Sequence, residues 1–155
     1  MSRPFPLSPG MTAALSEAQA AGARGEVPIG AAVTDAAGAV VAQAGNRTRQ
    51  LADPSAHAEM LAIRAACAIV GSERLPGYDL HVTLEPCAMC AAVIGFARIA
   101  RLYYGAPDAK SGGVDHGARV FTHPTCHHAP QVYGGIGEVA AIALLRDFFA
   151  GLRRA

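Results

Sequence analysis

Hydrophobic and polar positions along the chain alternate between a helical and an extended rhythm. From Ala56 to Val70, the residues Met60, Ile63, Cys67 and Val70 recur at steps of three and four. That spacing predicts a helix with these four on one face. Ala13 to Ala23 is rich in helix formers and is punctuated by Gly22 and Gly25, which predicts an earlier helix. Pro86 predicts the start of a third helix over Cys87 to Phe96, since proline is tolerated in a first helical turn. A last helix is expected from about Gly137 to Arg153, with Ile142, Leu145, Phe149 and Leu152 on its apolar stripe. Short apolar runs bounded by turn residues predict strands over Val27 to Thr34, Val40 to Ala44, Leu80 to Leu84, Ile99 to Tyr104 and Gln131 to Tyr133. Asp35-Ala36-Ala37-Gly38 reads as the turn of a hairpin, and Asn46 to Ser55 and Ala106 to Pro130 read as loops.

A hairpin followed by strands that connect through helices predicts an α/β fold: a three-layer α/β/α arrangement around a mixed five-stranded sheet. No repeat, low-complexity tract or linker interrupts the 155 residues, so one domain is expected over 1–155. Composition narrows the function classes. An apolar fraction of 52% with 16% charged residues excludes a disordered chain. A net charge of +1 excludes a protein that holds nucleic acid by bulk charge alone. Ala91 to Tyr104 is the best apolar stretch, but Arg98 and Arg101 break it, so no membrane partner is expected. Met1-Ser2-Arg3-Pro4-Phe5-Pro6 has no apolar segment of a secretory signal, which points to the cytoplasm.

The chemistry concentrates in two segments. His57-Ala58-Glu59 is followed, 30 positions after the histidine, by Pro86-Cys87-Ala88-Met89-Cys90. Cys87 and Cys90 at i and i+3 face one side of a helix, and a first turn favours thiolate over thiol. His57 is expected in the first turn of the preceding helix. His57 and Glu59, two apart, can serve one centre only if it lies off the helix end. Two thiolates and an imidazole are a good Zn²⁺ donor set, and three protein ligands leave a fourth tetrahedral position for water. Such a cation brings the pKa of its bound water down to about 7, and Glu59 could then move its proton.

Other readings compete for the same residues. A lone C-x-x-C could be a redox pair, but such a pair has no use for H-x-E upstream. A structural zinc would need Cys67 or Cys126. In a continuous helix Cys67 lies about 15 Å from His57, out of reach, and Cys126 sits in a loop. His116, His123, His127 and His128 show no ligand spacing, and His81 lies in a strand.

The composite H-x-E…P-C-x-x-C is the signature of zinc-dependent nucleobase deaminases. The stretches Gly25 to Ala31, Asp53 to Glu59, Tyr78 to Cys90, Ala97-Arg98-Ile99 and Tyr104 to Lys110 resemble the bacterial tRNA-specific adenosine deaminases. The resemblance runs from about Met11 to Arg154 and implies a cytidine deaminase-like fold. It also implies a homodimeric enzyme that converts the wobble adenosine of an arginine tRNA to inosine. Residue by residue, it implies that His57, Cys87 and Cys90 hold one Zn²⁺ per subunit and that Glu59 shuttles protons. Asn46 and Ala58 would meet the purine, Asp108 the ribose and backbone, and Phe148 the anticodon stem-loop. Phe149, on the apolar stripe, is expected in the core. The chain departs from the family at His127-His128, where an Asn-His pair is common. A deaminase of free guanine or cytosine on the same fold is the alternative, and a zinc-stabilised RNA-binding protein without catalysis a third.

Overall fold

The computed structural model describes residues 6–154. Met1–Phe5, part of the stretch expected to lack a secretory segment, and Ala155 lie outside the described residues. Helix α1 (Pro9–Ala23) is followed by strands β1 (Gly30–Thr34) and β2 (Val40–Gly45), then α2 (Ala58–Val70), β3 (Asp79–Leu84) and α3 (Ala88–Phe96). Strand β4 (Arg101–Ala106), a 3-10 turn (Val120–Thr122), β5 (Gln131–Tyr133) and α4 (Glu138–Arg154) complete the chain. The five strands form one sheet in the order β2-β1-β3-β4-β5. β1 pairs antiparallel with both β2 and β3, whereas β3, β4 and β5 run parallel. The sheet is therefore mixed, as the hairpin-then-crossover pattern predicts.

α1 and α4 cover one face and α2 the other, with α3 packed beside α2. That is the expected α/β/α sandwich. The interior strand β1 is buried along its whole length because both faces are covered. At Gly30, a Cβ would collide with the Ala14 carbonyl and the Ala18 amide of α1, so only glycine lets this helix lie so close. Leu75, Leu80, Val82, Ile94, Ile99 and Leu102 are fully buried between the layers.

Several boundaries move, each for a local reason. α1 begins four residues before the expected Ala13, because Ser8 accepts a hydrogen bond from the Met11 amide at 3.2 Å and Pro9 occupies the first turn. Val27–Ile29 is not strand; the Ile29 amide turns back to the Val27 carbonyl at 2.8 Å. On α2 the buried residues are Ala58, Glu59, Ala62, Ile63 and Ala66, while Val70 is exposed. Small alanines seat this helix on the sheet, so the stripe of larger residues at Met60, Cys67 and Val70 is displaced from the core. α4 differs most. Among its described residues only Ala141 is buried, and Ile142, Phe149 and Leu152 of the expected stripe are exposed.

Candidate active site

The topology gathers one end of the sheet. Gly30 at the start of β1 pairs with Gly45 at the end of β2, and Ala31 pairs with Val82 near the end of β3. The residues flanking those strand ends, Ile29, Asn46 and Glu85–Cys87, therefore meet where α2 and α3 begin. Strand ends of this kind are where α/β sheets place their ligands.

His57 is the N-cap of α2 (ψ 152°) and Cys87 the N-cap of α3 (ψ 173°). Both were expected inside the first turn; the structure places them one step earlier, on extended backbone. Neither side chain caps its own helix, which leaves both free to turn off the helix ends. Cys90 does lie in the first turn of α3 and is fully buried. His57 Nδ1 stands 3.6 Å from Cys87 Sγ and 3.6 Å from Cys90 Sγ. All three donor atoms lie within 4.8 Å of one another. Tetrahedral bonds of about 2.0 Å (Zn–N) and 2.3 Å (Zn–S) separate nitrogen from sulfur by about 3.5 Å. The donor set thus fits zinc by chemistry and by spacing. Among the described residues no further His, Cys, Asp or Glu joins the group.

Protonation within the group is strongly split. Hydrogen bonding from Cys90 and His57, opposed by burial, lowers Cys87 to about 4. Its hydrogen bond to Cys87, then burial and the Glu59 charge, push Cys90 the other way. Bonding to Cys87 raises His57. Glu59, in the first turn of α2, is buried, and that burial raises its carboxyl above the usual range. A carboxyl in this condition keeps its proton to higher pH than a solvated one.

His57, Ala58, Glu59, Asn46, Thr48, Val27 and Ile29 line one pocket of about 240 Å³. Asn46, 6% exposed, is fixed by its backbone: its amide donates to the Ile29 carbonyl at 3.0 Å, and Arg24 Nη2 donates to its carbonyl at 3.2 Å. Among the described residues its amide side chain makes only one long bond, Oδ1 accepting from the Thr48 amide at 3.4 Å. The structure therefore brings together Asn46, His57, Ala58, Glu59, Cys87 and Cys90. It does not bring Asp108 or Phe148 to this pocket. Asp108 Oδ1 accepts from the Lys110 and Ser111 amides at 3.1 and 2.9 Å, closing its own turn. Phe148 is half-buried on α4, edge-to-face with Phe149 at 5.4 Å. Phe149, expected in the core, is instead exposed, at 42%.

The remaining cysteines and histidines stay apart from the group. Burial pushes the Cys67 thiol up, and Cys126 Sγ donates to the His128 carbonyl at 3.2 Å. His128 and His123 bond the Ile99 and Ala118 carbonyls. His81 is buried in β3, its Nε2 3.0 Å from Thr34 Oγ1.

Two of the buried carboxylates that escaped the sequence reading bear on the site. Glu26, 2% exposed, accepts from the Arg49 amide at 2.9 Å and so anchors the loop that follows Asn46. Glu85, also 2% exposed, binds the segment 108–116. The signal was available in Leu84-Glu85-Pro86-Cys87: an acid at the end of a buried strand has to find donors.

Comparison with known proteins agrees with this geometry. Residues 7–106 match the cytidine and deoxycytidylate deaminase zinc-binding region. A tRNA-specific adenosine deaminase of Agrobacterium fabrum is 61% identical over 140 residues, covering 90% of this chain and 91% of the relative. A solved structure from a study of A-to-I editing by tRNA:A34 deaminases at the wobble position of transfer RNA is 59% identical. It superposes with a TM-score of 0.85 and covers 87% of this chain and 97% of that one. A guanine deaminase from Nitrosomonas europaea shares the fold, with a TM-score of 0.80 at 24% identity, covering 96% of this chain and 88% of that one. From the converged His-Cys-Cys group to the near full-length likeness, the observations agree, and the chain belongs to the bacterial tRNA-specific adenosine deaminases within the cytidine and deoxycytidylate deaminase family.

Proposed function

We propose that the protein hydrolyses adenosine to inosine at the wobble position of an arginine tRNA anticodon. The observation that carries this reading is the placement of Glu59 and Asn46 in the same pocket as the His57 end of the donor group. A volume of about 240 Å³ with apolar walls at Val27, Ile29 and Ala58 suits one planar base, turned out of its strand.

In this reading His57, Cys87 and Cys90 hold one Zn²⁺ per subunit. The bound cation supplies a Lewis acid that makes water nucleophilic at neutral pH. The chain's own residues do the rest. Asn46 offers a donor and an acceptor to the purine edge, which orients C6 toward the donor group. Glu59 takes a proton from the attacking water and delivers it to N1 as the C6–O bond forms. It then passes the second proton to the leaving amine, the C6–N bond breaks, and ammonia and inosine result. Burial of Glu59 beside the donor group supports this cycle, because desolvation strengthens its hold on the proton it carries between water and base. Asp108 meets the ribose through its second carboxylate oxygen, and Phe148 packs near the stem-loop.

The protein acts in the cytoplasm as a homodimer in the same reading. Phe96 is 69% exposed on α3, beside a groove of about 270 Å³ lined by Ala91, Ala92, Gly95, Val120 and Cys126. An apolar patch of this kind supports contact with a second copy. No helix among the described residues is long and apolar enough to cross a membrane.

Turnover of an anticodon stem-loop with a wobble adenosine, set against free adenosine, guanine and cytosine, tests the assignment. Inosine in the stem-loop with little turnover of the free compounds is expected. Preference for a free base would transfer the activity to the other substrate class.

A further inference from the structure

The Glu85 side chain is 0% exposed, and a buried carboxylate is stable only when its oxygens are satisfied. Oε1 accepts from the Asp108 amide at 3.1 Å and from His116 Nδ1 at 2.7 Å. Oε2 accepts from the amides of Val114, Asp115 and His116 at 3.2, 3.0 and 3.0 Å. All five donors come from one segment, 108–116. That segment also rests on the start of α3: the Gly113 amide donates to the Pro86 carbonyl at 2.8 Å. A Cβ on Gly113 would stand 2.5 Å from the Ala88 amide nitrogen, so the contact is close-packed backbone on backbone. Glu85 lies two residues before Cys87. One side chain therefore ties the loop bearing Asp108 to the peptide that presents Cys87.

A carboxylate that served stability alone could satisfy itself anywhere along a loop. Here its bonds fix both ends of the segment to the same strand end, with Asp108 at one end and His116 at the other. We propose that Glu85 is a positioning residue, whose carboxylate registers the 108–116 segment, and with it Asp108, against the helix start that carries Cys87. The inference rests on the deaminase reading above, in which Asp108 meets the substrate. Glu85 touches no substrate. It sets the distance between the loop that contacts RNA and the centre where the base reacts, and a shift of that loop alone is felt in substrate binding.

Steady-state deamination of the stem-loop by Glu85→Gln and His116→Ala, each with and without Asp108→Ala, tests it, with bound zinc measured on every sample. Glu85→Gln keeps the shape but turns an NH₂ group toward amide donors. It should raise KM about tenfold while zinc content and kcat stay within about twofold. His116→Ala removes one of the five bonds at a half-exposed residue and should raise KM about threefold. Either variant combined with Asp108→Ala should raise KM no further than Asp108→Ala alone, because all act through one contact. His116→Ala decides the matter if Glu85→Gln does not fold. Unchanged KM in the folded variants, or KM effects that multiply with Asp108→Ala, overturns the proposal alone. A zinc-loaded wild-type protein that makes no inosine overturns the deaminase reading and this proposal with it.

Discussion

His57 Nδ1 and Cys90 Sγ stand 3.6 Å apart although 33 positions separate them in the chain. Their meeting depends on two helices starting at one end of the sheet, and on the extended backbone at His57 that frees the imidazole from its own helix. Cys90→Ser should reduce zinc retained after dialysis against a chelator by at least about tenfold. Atomic emission on the purified proteins reads this directly, and retention equal to wild type would remove Cys90 from the donor set.

Glu59→Ala should separate metal from chemistry. The carboxyl lies outside the three-donor group, so zinc content stays at the wild-type level. Its proton transfers are lost, and kcat falls by about 10²–10⁴. Turnover within a factor of two of wild type would dismiss Glu59 as the proton carrier.

Asn46→Ala probes the base-binding edge. The backbone bonds that fix this position, from the Asn46 amide to Ile29 and from Arg24 to its carbonyl, survive the substitution. Only the side-chain amide is lost, and KM for the stem-loop should rise about tenfold. An unchanged KM with normal folding would place the purine elsewhere.

Phe96→Asp addresses assembly. Its ring is exposed on α3, and a charge there would have to be buried in any contact between two copies. Sedimentation should find wild-type dimers and Phe96→Asp monomers at the same concentration. A dimeric variant would move the interface off this face.

His81 gives the fold a pH dependence unrelated to the chemistry. Burial lowers its pKa below the ordinary histidine value of 6.5, with Asp79 opposing and Arg101 reinforcing. The folded state therefore binds the proton less well than the unfolded chain. The associated stability is complete above pH about 6.5 and declines as pH falls from there toward the folded value. The wild-type Tm should drop between pH 7.5 and pH 5.5, and His81→Asn should show a smaller drop. Equal drops would show that other groups set the acid limit.

What the sequence disclosed and what it hid follow the same physics. Spacing alone exposed the H-x-E and C-x-x-C elements, because a metal group needs particular atoms at particular helix positions. The order of strands and helices was legible too, since hairpins and crossovers have distinct lengths and turn residues. Helix faces were not. α2 seats on the sheet through Ala58, Ala62 and Ala66, so reading the larger side chains as the core face turned the helix by about one residue. On α4 the same habit put Phe149 in the core, whereas it is exposed and Ala141 makes the contact. Glu85 announced only that it needed donors, and Glu26 not even that. Their partners are backbone amides from distant loops, and a sequence marks no amide as a partner.

The central claim is that an enzyme acts through the cation held by His57, Cys87 and Cys90. Single-turnover inosine formation in the stem-loop, followed through complete chelation and stoichiometric return of Zn²⁺, tests it most directly. Loss of turnover with the metal and its recovery at one Zn²⁺ per subunit is the predicted result. Undiminished turnover in protein shown to be free of metal would contradict it.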